Sequence, residues 1–219
     1  FIFYSRFKRR CFFKNGCIVD KYFYKNKKNR LTKISVDLFG DYNYQNILVC
    51  YIVSKIFNLP HKQFLNTVKN FKGLPFRSQI IFNNKNLMVI NNSKATNVEA
   101  TYNSLKNYNN VILILGGRAK EKNFKKLNEL HSKIDKVFVY GESINLITSQ
   151  IKSQMEVHKC KDLEETIFKI FDCIDLFKDK KILLFAPACT SFDMYKNFEE
   201  RGKHFTTLIK NFIELYEKI

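Results

Sequence analysis

"INNSKATNVEATYNSL", residues 90–105, carries the pattern that decides the fold. An apolar run ends at Ile90, a polar knot follows (Asn91, Asn92, Ser93, Lys94, Ala95 and Thr96), and a helix expected over 97–107 begins behind it. The same order recurs downstream. "VILIL" (111–115) leads through "GGRAK" to a helix expected over 122–133, and "KVFVYG" (136–141) leads to one over 143–152. A short strand near 155–158 precedes a helix over 162–176, and "KILLFAP" (181–187) precedes a last helix from about 197. Upstream, "SQIIF", a turn at Asn83–Asn86 and "LMVIN" read as a hairpin. Apolar strands alternating with amphipathic helices predict an α/β, Rossmann-like domain, its mostly parallel sheet covered by helices on both faces. Ligands of such sheets sit beyond the carboxyl ends of the strands. Each polar knot falls just after a strand: "NNSKATN", "GGRAK", "GES" and "PACTSFD". All four are therefore expected on one rim.

The chain before this region reads differently. "RCFFKNGCIVDKYFYK" suggests two strands around an Asn15-Gly16 turn. "NYQNILVCYIVSKIFNL" has helical spacing and stops at Pro60, and a second helix is expected over 61–71. Gly73-Leu74-Pro75 marks the boundary, giving an incomplete α+β segment, 1–73, and the α/β domain, 74–219. The chain opens without Met and as if inside a strand, which predicts that the start of the polypeptide lies elsewhere.

Composition narrows the function classes. Of 219 residues 45% are hydrophobic and 15% aromatic, enough for a substantial core. No apolar run is long enough to span a bilayer, so no membrane attachment is expected. The net charge of +18 is spread along the chain as Lys among Asn, a pattern of solvated surface rather than of a nucleic-acid partner. Six cysteines (11, 17, 50, 160, 173 and 189) show no C-x-x-C pair and no His at ligand spacing, which argues against a zinc site or disulfide framework. Free thiols of this kind fit a reducing, cytoplasmic setting.

"GLPFR", "NNSKATN", "LILGGRAKEKNF" and "PACTSFDMYKNFEERG", in that order, closely resemble the Mur ligases, and within them the members that add D-glutamate to UDP-N-acetylmuramoyl-L-alanine. The resemblance covers about residues 40–219 and, more loosely, the first 40 as closing strands of the family's central ATPase domain. It implies an ATP-dependent ligase of peptidoglycan precursor synthesis. The substrate carboxylate attacks the γ-phosphate of ATP, and the amine of D-glutamate captures the acyl phosphate. It also implies Mg2+, whose ligands would lie mainly in missing amino-terminal domains, and a monomeric enzyme. No G-x-x-x-x-G-K-[ST] occurs, so the chain alone is expected to be inactive, with no catalytic residue of its own. A reading of another class is a non-catalytic basic module that binds nucleotide or nucleic acid on the same fold.

The resemblance assigns ATP contacts to Asn43, Asn46, Arg77 and Asn92, with Arg77 reaching the phosphates through its planar guanidinium. N-capping is the structural alternative for Asn43 and Asn46, and an elaborate helix cap for the knot around Asn92. Thr96, Lys120, Ser191 and Phe198 would hold D-glutamate: Thr96 through its hydroxyl and the helix N-terminus, Lys120 at the α-carboxylate, Ser191 and Phe198 around the side chain. Ser93 and Lys94 belong to the same segment. The chain departs from the family at Tyr42, where His is usual, and at Asn92, where most members carry Asp. Cys189 has no neighbouring base in the sequence and is not expected to be a nucleophile. His204 is read as a helix-face residue.

Overall fold

The computed structural model describes residues 11–23, 30–33, 41–173 and 180–216. They fall into two compact units, Phe1–Gly73 and Leu74–Ile219. Continuation of the second strand through Tyr24 and Lys25, and the last turn of the helix expected over 162–176, lie outside the described residues.

In the first unit, β1 (Cys11–Lys14) and β2 (Cys17–Asp20) pair antiparallel, and β3 (Arg30–Lys33) pairs with the other edge of β2. Asn15 and Gly16 both take positive φ, 50° and 71°, the geometry that lets a two-residue turn match the strand twist. Two helices follow, α1 (Asp41–Ile56) and α2 (His61–Asn70), separated by the Pro60 that forbids one continuous helix. Cys11, Ile18, Ile47, Leu48, Tyr51 and Phe64 form the core. Within it Asp20 is fully buried. It accepts hydrogen bonds from Tyr51 Oη at 2.6 Å and from the backbone N–H groups of Tyr22 and Phe23, both at 2.9 Å.

The second unit is built on a six-stranded sheet. β4 (Gln79–Asn83) and β5 (Leu87–Asn91) form the antiparallel hairpin at one edge. β6 (Val111–Gly116), β7 (Ile134–Tyr140), β8 (Glu156–Cys160) and β9 (Lys181–Ala188) are parallel to β5, in the order β4-β5-β9-β6-β7-β8. Every residue of β6 is buried, as a strand covered on both faces requires. On one face Ile112, Ile114, Phe138 and Phe185 meet α5 (Leu163–Cys173) and α6 (Phe198–Tyr216) through Leu163, Ile167, Phe205 and Ile209. On the other, Leu113, Leu115, Val139 and Leu184 meet Val98 and Leu105 of α3 (Val98–Leu105), Leu127, and Ile147 of α4 (Ile144–Thr148). No helix among the described residues is long and apolar enough to cross a membrane.

Two expected helices are shorter or of another kind. The segment over 122–133 is a 3-10 helix, Lys125–Lys133, with non-helical dihedrals at Leu130 (φ −107°, ψ 18°), and α4 covers only Ile144–Thr148 of the expected 143–152. The two segments hold each other instead of continuing their own ladders. Gln150 Oε1 accepts from Phe124 N–H, Asn128 Nδ2 donates to Gln150 O, and Lys152 N–H donates to Asn128 Oδ1. Such side-chain bonds give the backbone an alternative to the helix.

The buried carboxylate of Asp20 generates a prediction for the first unit. Tyr51→Phe removes a buried donor and should cost about 1–3 kcal/mol of that unit's stability, the penalty of an unsatisfied buried group. Faster hydrogen exchange at the β2 amides is the expected readout, and unchanged exchange would show that Asp20 does not need the phenol.

Candidate functional site

The carboxyl ends of β5, β6, β7 and β9 are stitched together by their loops. Asn92 N–H donates to Phe185 O at 2.8 Å, and Ala188 N–H to Ala95 O at 2.9 Å, joining the first and last loops. Arg118 and Thr190 exchange backbone hydrogen bonds at 3.0 and 2.9 Å, joining "GGRAK" to "PACTSFD". Ser143 N–H donates to Gly117 O at 3.1 Å, Ala119 N–H to Ser143 Oγ at 2.8 Å, and Glu142 N–H to Asp193 Oδ2 at 3.2 Å, bringing in "GES". Close approach needs Gly117, which has φ +119°; a Cβ there would collide with the Thr190 carbonyl oxygen.

One side chain ties this rim from beneath. Arg201, in the first turn of α6, is fully buried. Its Nε donates to Ser93 Oγ at 3.1 Å, Nη2 to Ser93 O at 2.8 Å and to Cys189 O at 3.1 Å, and Nη1 to Cys189 O at 3.1 Å and Gly116 O at 3.5 Å. All its acceptors are uncharged, so a fixed positive charge lies under three of the four loops. No sequence motif singles out this residue. Its one signal was position: Arg201 lies four, eight and twelve residues before Phe205, Ile209 and Ile213, on the apolar stripe of α6.

The polar knot divides into an inward and an outward half. Asn91 Nδ2 donates to Gly202 O at 2.7 Å and Thr206 Oγ1 at 3.0 Å, Asn92 Oδ1 accepts from Ser78 N–H at 3.2 Å, and Ser93 Oγ donates to Phe198 O at 2.8 Å. These three are buried. The cap of α3 is Asn97, whose Oδ1 accepts from Ala100 N–H at 2.8 Å. Lys94 and Thr96 remain partly exposed, and the Lys94 ammonium stands 4.0 Å from the centre of the Phe198 ring, a cation–π contact.

The sequence-assigned residues can now be placed. Thr96, Lys120, Ser191 and Phe198 all belong to the joined loops or to the first residue of α6. Lys120 is exposed and makes no hydrogen bond or ion pair among the described residues, whereas nearby Arg118 is paired with Glu142 at 2.8 Å. Ser191 is buried, and its carbonyl accepts from Met194 and Tyr195 N–H groups at 3.1 and 2.8 Å, turning the loop toward α6. Asn92 is held by Ser78, and Arg77 is exposed. In the first unit Asn43 is half-buried and Asn46 exposed, both inside α1 rather than at its cap. Phe192 and Met194, exposed beside Ser191, add apolar surface that the sequence reading did not assign.

Arg201, Lys94, Arg118 and Lys120 bring positive charge to the rim, and Glu121, Glu142 and Asp193 bring carboxylates. Burial pushes the Cys189 thiol up to about 12, opposed by the Ser143 hydroxyl and Arg201, so the thiolate is not populated at neutral pH. Burial likewise raises the Tyr140 phenol, again opposed by Arg201. His204 lies on α6 and shares a 2.8 Å hydrogen bond with the Tyr195 hydroxyl, which fixes the far end of the last loop.

Two outcomes follow. Arg201→Leu should lower the stability of the second unit by about 3 kcal/mol or more, since orphaned carbonyls cost about 1–3 kcal/mol each, and Arg201→Lys should recover little because an ammonium cannot span them. A melting temperature within a degree of the native value would refute this. At pH 8 Cys189 should resist alkylation while exposed Cys50 reacts, as read by peptide mass spectrometry; because the thiol form is favoured up to about 12, Cys189 should stay inert at pH 9 as well.

No family model matches the chain. Among curated proteins it is 34% identical over 179 residues to the UDP-N-acetylmuramoylalanine–D-glutamate ligase of Rickettsia felis, covering 81% of this chain and 40% of that protein. It is 35% identical over 192 residues to the ligase of the same name from Buchnera aphidicola, covering 86% and 42%. The chain thus spans about two fifths of the length of the curated relatives it matches. Its fold is that of a pseudomurein peptide ligase type C from Methanothermus fervidus (TM-score 0.64, 16% identity, 95% of this chain and 42% of that one). It also matches a UDP-N-acetylmuramate–alanine ligase from Thermotoga maritima (TM-score 0.63, 18% identity, 89% and 42%). By the sequence of its matched region and by this fold, the chain belongs to the Mur ligase family.

Proposed function

We propose that the second unit is the amino-acid-binding part of an ATP-dependent ligase that joins D-glutamate to UDP-N-acetylmuramoyl-L-alanine, a cytoplasmic step of peptidoglycan precursor synthesis. The observation that carries this reading is the rim itself: four joined loops, three of them tied to a buried guanidinium that has no carboxylate partner among the described residues, and an exposed ammonium at Lys120 with no partner among those residues. An acidic amino acid is the complementary ligand. Lys120 takes the α-carboxylate, the Thr96 hydroxyl and the start of α3 take a carboxylate oxygen, and Ser191 with the Phe198 ring holds the side chain. The acceptor and the D-configuration are those in the names of these relatives.

In this reading a carboxylate oxygen of the UDP-linked substrate forms a bond to the γ-phosphorus of ATP, and ADP leaves. The D-glutamate nitrogen then attacks the acyl carbon, inorganic phosphate departs, and the nitrogen gives up a proton to form the amide. The rim orients the amine and screens the anions. The described residues do not by themselves fit the nucleotide's phosphates, since the chain has no G-x-x-x-x-G-K-[ST] and offers the exposed Arg77. Among them no group of three or more His, Cys, Asp or Glu could hold a metal, so the ligands of Mg2+ would lie mainly outside these residues. Residues 1–73, with Asn43 and Asn46, are read as the end of the central ATP-binding domain.

Isothermal titration tests the reading. The chain should bind D-glutamate in preference to L-glutamate and D-alanine. Lys120→Ala should weaken binding by about tenfold or more, the value of a charge-assisted hydrogen bond, with no change in melting temperature. Mixed with the remainder of a relative, the chain should sustain ADP release over many turnovers only when D-glutamate is present. D-glutamate binding unaffected by Lys120→Ala would remove Lys120 from the site, and ADP release indifferent to D-glutamate would end the assignment.

A further inference from the structure

The last loop carries Ser191 and runs on to α6, and its ends are secured differently from its middle. At the start, Cys189 O accepts from both Nη groups of Arg201, and Thr190 exchanges backbone hydrogen bonds with Arg118. At the end, Asn197 Oδ1 accepts from Glu200 N–H at 2.7 Å and Glu200 Oε2 from Lys196 N–H at 2.8 Å, a reciprocal cap on the first turn of α6. Between these fixed points Phe192 and Met194 are exposed.

Two side chains anchor the middle stretch among the described residues. Asp193 Oδ2 accepts from Glu142 N–H at 3.2 Å, an exposed bond. Tyr195 turns the other way, its ring packed against the core cluster shared with α5 and α6. Its N–H donates to Ser191 O at 2.8 Å, and its hydroxyl meets His204 Nδ1 at 2.8 Å. One residue thus closes the turn on Ser191 and also reaches α6.

The chemistry of the pair is that of a neutral hydrogen bond. Burial raises the Tyr195 phenol, opposed by Arg201 and reinforced by the carboxylates of Asp162, Glu164 and Asp193, so the phenol keeps its proton. A neutral imidazole accepts that proton at Nδ1 and presents Nε2–H to Glu164 Oε1 at 3.4 Å. The Glu164 side chain is 69% exposed, and ion pairs of that kind add little. The anchoring therefore falls to the bond between Tyr195 and His204.

We infer that Tyr195 and His204 are positioning residues for side-chain selection: their hydrogen bond fastens the Ser191 turn to α6, so that the turn is set before a ligand's side chain arrives. The inference rests on the reading of Ser191 given above and adds the means by which that turn is held. A site fixed beforehand loses less conformational freedom on binding. His204, expected from the sequence only as a helix-face residue, is one half of this anchor.

Hydrogen exchange and isothermal titration on the full chain test this. Tyr195→Phe and His204→Leu should each speed exchange at the Met194 and Tyr195 amides by about two- to tenfold, the effect of losing one hydrogen bond. Each should lower the preference for D-glutamate over D-alanine by a similar factor. His204→Asn, whose amide can stand where Nδ1 does, should restore both, whereas His204→Gln, which extends toward the Nε2 position, should not. Native exchange at the β6 amides shows that a variant is folded; if His204→Leu loses it, the contrast between His204→Asn and His204→Gln carries the test. Unchanged exchange in Tyr195→Phe, or equal behaviour of His204→Asn and His204→Gln, would overturn the anchor. Faster exchange with an unchanged ligand preference would overturn the role in selection alone. A native chain that binds no D-glutamate would overturn the reading of Ser191 and the selection role together, and the exchange rates would still decide the anchor.

Discussion

A guanidinium with no carboxylate to answer it is an expensive thing to bury, and the second unit is organised around one. The delocalised charge of Arg201 is satisfied by the carbonyls of Gly116 and Cys189 and by both oxygens of Ser93. Carbonyls at the ends of parallel strands have no ladder partner beyond the sheet, so they would otherwise need water. One planar fork meets that need for three loops at once, which an ammonium could not do. Phe185 of β9 lies beneath it, its ring centre 5.9 Å from the guanidinium carbon.

Much of the rim geometry follows from that anchor. Gly117 is needed because the loop after β6 must pass close to Thr190 and to the guanidinium. Ser93 is drawn inward and Asn91 follows it to α6, which leaves Lys94 and Thr96 as the partly exposed half of the knot. The same inward turn lets Asn92 reach Ser78 and so joins the segment after Gly73 to the rim. A charged hub that is fully hydrogen-bonded favours one arrangement of its loops over many.

The rim also explains why charge matters here when it says little elsewhere in the chain. Surface lysines spread through a basic sequence are screened and individually weak. Lys94 and Lys120 differ in sharing one edge of the sheet with a buried cation. Fold resemblance to other ligases sets the architecture, but the case for an acidic ligand comes from these particular side chains.

The sequence by itself determined the alternation of strands and helices, the Asn15-Gly16 hairpin, the break at Pro60 and the placing of polar loops after apolar strands. Those features depend on side-chain periodicity and turn chemistry, which are local. Tertiary structure decided which polar residues turn inward. Asn91 and Ser93 look in the sequence like a cap or a ligand contact, yet their partners lie more than a hundred residues away in α6 and at its start. Arg201 looks like one more surface charge, and its acceptor Ser93 is 108 residues distant. The shortened α4 and the 3-10 segment were likewise settled by Asn128 and Gln150 reaching between elements. Periodicity reports which face of an element is apolar; only the folded chain shows which distant carbonyl a buried donor meets.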